Sequence, residues 1–372
     1  MDRREFALGA GALAVAALGP VARAAAARDD ISAAARAVWR RATVLDCNIG
    51  PKISSDKFPM DPADIAAARA SGVSAIKNSI GGFNASFEDT VGELGFYQRM
   101  IEAHPDVFMQ IRTVADIATA KRTNRLGIIF GFESATALGD KLDNITAFRW
   151  LGVRVMQLSY NLTSPFGAGV LAPPDSPLTD LGRQAIARMN EVGVALDLSH
   201  AGPATTTAAM AASAKPVIVS HAGCKAVHDN PRNKTDDQMR ALANKGGVMG
   251  IFDLFYLAPA GRQPTLADYM AHMTHALDVM GEDHVGFGSD TDFGGTDNSA
   301  EAHAAWDAET QRRIAAGVAA PEEDGRLPYT EGLNRPDRAL VIADALLKRG
   351  YPARVAEKVL GGNFIRVFGE IW

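Results

Sequence analysis

From about residue 40 onward, short runs rich in Val, Ile and Leu alternate with Ala-rich amphipathic stretches. Eight runs read as strands: Thr43–Asn48, Val73–Ser79, Leu126–Glu133, Val153–Ser159, Val194–His200, Pro216–His221, Val248–Phe252 and Val285–Asp290. Near-continuous apolar runs of this length suit strands buried on both faces. Helical spacing marks Pro62–Ser71, Leu94–Ala103, Ile145–Leu151, Asp180–Glu191 and Thr265–Met280 between them. Strand and helix in alternation predict an α/β protein, a (β/α)8 TIM-type barrel if all eight strands close and an open doubly wound sheet if fewer do. No G-x-G-x-x-G follows the first strand, which argues against dinucleotide binding.

No linker divides residues 40–372, so a single domain is expected there. The polar stretch Gly294–Pro328 is too long for an ordinary connection after a strand. It reads as an insertion over the mouth of the barrel, helical around Ala300–Ala316. It serves either as a cover for substrate or as a solvated excursion.

Composition narrows the function. The 372 residues carry a formal charge of -5 and are 47% apolar, enough for a large core. With no basic stripe interleaved with aromatics, nucleic acid is not an expected partner. The two cysteines, Cys47 and Cys224, do not demand a disulfide. Residues 1–26 look like a twin-arginine signal peptide. Asp2-Arg3-Arg4-Glu5-Phe6 precedes a weakly apolar run, Leu8 to Val21, and the small residues Ala22-Arg23-Ala24 follow. The run is too short and Gly-rich for a stable membrane span. Export of the folded protein to the periplasm is therefore expected.

Polar residues gather at strand ends. Glu133 ends the third predicted strand, His200 the fifth, His221 the sixth and Asp290 the eighth. In a parallel barrel those ends meet at one mouth. Two imidazoles and a carboxylate can hold Zn²⁺ and leave a fourth position open. Asp290, not binding the metal, could then move a proton. Histidines that merely bond to loops are the plainer alternative. Arg232, in Pro231-Arg232-Asn233 just beyond the sixth strand, could grip a substrate carboxylate through two parallel hydrogen bonds. Otherwise it is a surface arginine among Asp229, Asp236 and Asp237. His228 in the same loop is placed beside the pocket. Alternation along the first strand puts Cys47 towards the helical layer. His272 and His275, three apart on a helix, read as a solvated face.

The segments Gly131-Phe132-Glu133, Leu196-Asp197-Leu198-Ser199-His200, Val219-Ser220-His221, Pro231-Arg232-Asn233, Gly286-Phe287-Gly288-Ser289-Asp290 and Gly361-Gly362-Asn363-Phe364-Ile365-Arg366-Val367-Phe368 occur in that order. Together they resemble the membrane dipeptidase (renal dipeptidase) metallopeptidases over roughly residues 40 to 370. The resemblance implies a (β/α)8 barrel with two zinc ions, dipeptide substrates, tolerance of a C-terminal D-residue and frequent dimers. It makes Glu133 the metal-bridging carboxylate, completes one site with His200 and His221, and assigns substrate-carboxylate binding to Arg232, with Asn233 beside it, and proton transfer to Asp290.

The departures lie elsewhere. The family's first strand carries Asp-Gly-His-Asn-Asp, whose His and last Asp bind the second zinc. Here the stretch is Asp46-Cys47-Asn48-Ile49-Gly50, so those positions hold Asn48 and Gly50. A neutral amide is a poor zinc ligand and glycine offers no side chain. One zinc ion is therefore expected. At the end of the fourth strand, Tyr160 stands where the family has an oxyanion-stabilising His; a tyrosine hydroxyl can also donate there. Lys77, unexpected in the apolar run Ala75-Ile76-Lys77-Asn78, either fills the vacated cationic position beside Glu133 or sends its head to solvent. The leading expectation is an exported, zinc-dependent, dipeptidase-like hydrolase of a small carboxylate-bearing amide, and a homodimer. The alternative is a non-peptidase relative that binds or modifies a peptide-like metabolite.

Overall fold

The computed structural model describes residues 30–50 and 60–372. The signal-peptide expectation falls on residues outside those described. Among the described residues, nine parallel strands form one sheet: β1 Leu45–Asp46, β2 Ala75–Ser79, β3 Phe108–Gln110, β4 Leu126–Phe132, β5 Val153–Gln157, β6 Ala195–Asp197, β7 Ile218–Ala222, β8 Val248–Ile251 and β9 Val285–Phe287. Eight of them run in the order β1-β2-β4-β5-β6-β7-β8-β9, while β3 pairs only with the start of β4. The join between first and last strands is made by Cys47 N–H to Phe287 O at 3.1 Å, by Asp290 N–H to Asn48 O at 2.5 Å, and by a parallel bridge from Gly50 to Asp292. This is the nearly closed (β/α)8 cylinder that the strand–helix alternation predicts. The unexpected β3 lies outside the ring.

The flanking helices have ordinary start signals. Reciprocal capping boxes join Ser86 to Asp89, Thr113 to Asp116, Thr235 to Gln238 and Thr265 to Asp268. Gly193, at φ 72°, ends the helix Asp180–Val192 in the left-handed conformation that glycine adopts without steric cost.

Two apolar clusters divide the interior. The larger lies between strands and helices, with Ile76, Ile128, Phe130, Met156 and Leu196 among its members. The smaller gathers Leu45, Ala75, Ile129, Val155, Ala195, Ile218 and Val248 with Phe364, Val367, Phe368 and Ile371 of the C-terminal helix. The C-terminal helix therefore covers the end where the strands start and leaves the other end for polar side chains. Cys47 belongs to this inner cluster, not to the helical layer. Strand β1 stops at Asp46, whose Oδ1 accepts the Asn48 and Ser289 N–H groups and turns the chain, so alternation cannot be extended to residue 48.

Candidate metal centre

Beyond the ends of β4, β6 and within β7, Glu133, His200 and His221 converge, with one ligand atom from each within 4.8 Å of the others. The two His Nε2 atoms are 3.0 Å apart, and Glu133 Oε2 is 3.9 Å from His200 Nε2. Their tautomers follow from the surrounding bonds. Asn161 Nδ2 donates to Val318 O at 2.9 Å, which turns Asn161 Oδ1 towards His200 Nδ1 at 2.7 Å. His200 therefore carries its proton on Nδ1. Ser220 Oγ donates to Asp197 Oδ2 at 2.5 Å and so accepts from His221 Nδ1 at 2.8 Å. Both Nε2 lone pairs face one small space. Burial, reinforced by the Arg232 charge, holds both imidazoles well below the usual histidine range. Neutral imidazoles with oriented Nδ1–H groups and a nearby carboxylate are a donor set that fits a zinc ion.

Around this space stand the other predicted residues. Asp290, in the left-handed region at φ 58°, brings Oδ2 to 3.8 Å from His221 Nε2, while its Oδ1 accepts from Asn48 Nδ2 at 2.6 Å. Burial and the neighbouring Glu133 charge push its carboxyl up to about 8. Tyr160 stacks on His200, with ring centroids 4.1 Å apart and planes inclined by 25°. Burial raises its hydroxyl to about 12, so it keeps its proton. Arg232 is buried; Nη1 donates to Ser199 O at 2.8 Å and Nη2 to His200 Nε2 at 3.1 Å.

Asn233 and His228 sit one step away. Asn233 Nδ2 donates to the carbonyls of His228 and Tyr256, tying two loops together. His228 Nε2 lies 2.8 Å from Glu322 of the insertion. Lys77 points inward and is fully buried, so its head does not reach solvent. Its Nζ donates to Asn48 Oδ1 at 2.7 Å and Ser79 Oγ at 2.8 Å and is 3.8 Å from Glu133 Oε1.

The insertion crosses this end of the cylinder. After the helix Ala300–Ala315, its chain is held by Asn161 at Val318, by Asn230 at Pro321, and by Tyr256, whose hydroxyl donates to Glu323 Oε1 at 2.6 Å. Arg313 grips Glu323 through two hydrogen bonds of 2.6 and 2.9 Å and lies 5.9 Å above the Tyr160 ring.

A profile of the membrane dipeptidase family (peptidase family M19) matches residues 46–304. The chain belongs to the membrane dipeptidase family. Dipeptidase 3 of Rattus norvegicus is 28% identical over 291 residues, 75% of this chain and 51% of that protein. Dipeptidase tcpJ of Claviceps purpurea is 26% identical over 291 residues, 77% of this chain and 61% of that protein. The match thus spans only part of the length of these relatives. Among solved structures, an amidohydrolase from Pseudomonas aeruginosa superposes with a TM-score of 0.78 at 26% identity, covering 91% of this chain and 99% of that one.

In this membrane dipeptidase family member, every residue singled out from the sequence at the candidate metal centre lies inside the matched region, whereas Val318–Glu323 of the insertion lies beyond it. Sequence reasoning missed Asn161, Ser79 and the Arg313–Glu323 pair. For Asn161 the available signal was a polar residue two positions past the end of the fourth predicted strand. His272 is a correction. It is fully buried, accepts Cys224 N–H at 2.8 Å on Nδ1 and lies 3.2 Å from Leu257 O through Nε2. His275, partly exposed, pairs with Asp236 at 2.8 Å.

Proposed function

We propose that this chain is an exported, zinc-dependent dipeptidase-like hydrolase that cleaves an amide bond in a small substrate with a free carboxylate. The observation that carries the reading is the pair of Nε2 lone pairs aimed with Glu133 Oε2 into one space while both Nδ1 positions are held by Asn161 and Ser220. Zinc held there supplies Lewis acidity towards a carbonyl and towards water.

The chain's own residues would perform the remaining work. Arg232, whose Nη2 lies 3.1 Å from His200 Nε2, would bind the substrate carboxylate through its guanidinium N–H groups beside the residues that would hold the metal. Asp290, held by Asn48 through Oδ1, would act in its ionised form, which a cation held beside it favours over the raised value it has here, taking a proton from water through Oδ2 and returning it to the departing amine. The Tyr160 hydroxyl, kept protonated by burial, can donate to the developing oxyanion. The insertion limits access of bulk water and favours a short substrate. Residues 1–26 support export by the twin-arginine route to the periplasm; among the described residues no helix is long and apolar enough to cross a membrane.

The test is a dipeptide panel, including C-terminal D-residues, assayed with the mature protein. Hydrolysis that chelator abolishes and Zn²⁺ restores is expected. No turnover of any dipeptide by folded, zinc-loaded protein would overturn the peptidase reading. Binding without cleavage would point to the relative that only binds or modifies a peptide-like metabolite, the reading that Asn48 and Gly50 at the first strand keep open.

A further inference from the structure

We infer that this chain holds a single catalytic metal ion because the Lys77 ammonium occupies the place beside Glu133 where a second cation would bind. The inference rests on the metal centre proposed above and concerns its other side.

Glu133 divides its two oxygens. Oε2 faces His200. Oε1 accepts Asn48 Nδ2 at 2.8 Å and Ser79 Oγ at 2.8 Å, with Lys77 Nζ 3.8 Å away. A carboxylate oxygen with two donors and an adjacent ammonium has little capacity left for a metal. Asn48 is engaged at both ends. Its Oδ1 takes Lys77 Nζ, with Ser79 Oγ at 3.2 Å, and its Nδ2 gives to Glu133 and Asp290. No Asn48 heteroatom is free to ligate, and Gly50 has no side chain. A divalent ion against Oε1 would also face a fixed positive charge across a few ångströms of protein interior.

The local fold builds this position for an amine. Lys77 lies on β2 opposite Ile129 of β4, in the same inward register as Ala75. A Cβ at Gly131 would come within 2.7 Å of Lys77 Cε, so the glycine leaves room for the lysine stem. By contrast, a Cβ at Gly50 would find its nearest neighbour, Asn78 Oδ1, at 3.7 Å. A Cβ at residue 50 therefore meets only ordinary van der Waals contact among the described residues, whereas the ammonium stands against Glu133 on this side.

The experiment counts metal per chain by plasma mass spectrometry after zinc loading and exhaustive dialysis, a readout independent of turnover. The wild-type protein is expected to retain one equivalent. Asn48→His/Gly50→Asp with Lys77 intact is expected to retain one as well. Adding Lys77→Met to that pair is expected to raise the count to two, with circular dichroism confirming the fold. Two equivalents in the wild type, or two in the double variant that keeps Lys77, would overturn the inference while leaving the hydrolase reading in place. A folded triple variant still holding one would likewise overturn the role given to the ammonium. No bound metal in the wild type would instead refute the metal centre itself.

Discussion

Asn161 is the sharpest point at which to perturb this site. It accepts from His200 Nδ1–H and donates to Val318 O, so one amide holds an imidazole and the insertion together. Asn161→Leu removes both bonds from a buried position. Leaving the His200 N–H and the Val318 carbonyl without partners costs about 1–3 kcal/mol each, roughly 2–6 kcal/mol in stability. Loss of the partner that orients a metal-binding imidazole lowers metal affinity by about 10–100-fold, roughly 1.4–2.7 kcal/mol. Asn161→Asp separates the two effects. Its carboxylate still accepts from His200 but cannot donate to Val318 O. Zinc affinity, measured by chelator competition, should fall in the Leu variant and stay within about threefold of wild type in the Asp variant. Amide hydrogen exchange across Val318–Glu323 should quicken in both. Unchanged zinc affinity in a folded Leu variant would show that His200 is oriented by something other than Asn161.

Other residues give independent tests. Arg232→Lys keeps the charge but not the planar fork; kcat/KM for a dipeptide should fall about 100-fold while the same dipeptide with an amidated C-terminus loses much less, and equal losses on both would remove the carboxylate-anchor role. Gly131→Ala drives a methyl group into the Lys77 stem and should lower stability by about 1–3 kcal/mol in urea unfolding; an unchanged midpoint would mean that the lysine is not held. Asp268, bonded to Arg262 and capping the helix Leu266–Met280, has its carboxyl held below the ordinary range by the Arg262 hydrogen bonds. A depressed carboxyl contributes stability that is present above its unfolded pKa and fades as pH falls towards the folded value. Asp268→Asn should therefore cost about 1 kcal/mol above pH ~4 and progressively less below it; a difference that is constant with pH would contradict the assignment.

The barrel was legible because parallel strands buried on both faces write themselves as apolar runs ended by polar residues. The same feature displayed Glu133, His200, His221 and Asp290, each at or just past a strand end. Less legible were features set by packing or by short elements. Strand β3 is three residues long, and only Phe108 of the three is buried, too little for a periodic signal. His272 was misjudged because polarity was weighed above position: it lies on the helix face of Tyr269, Met273 and Ala276, all buried. Whether Lys77 pointed inward could not be settled by its apolar neighbours, since a long stem can leave the barrel end. Gly131, opposite Ser79 in the register, is what gives the stem its room.

The seam of the cylinder carries a consequence for biogenesis. Asn48 and Asp290 are separated by 242 positions in the chain yet share the hydrogen bonds that join the first strand to the last. A half-built sheet would already carry Glu133, His200 and His221 while Asp290 still lacked its partner Asn48, so on the proposed roles any hydrolysis recovered during refolding should track closure of this seam, the longest loop closure in the sheet, and not the arrival of secondary structure.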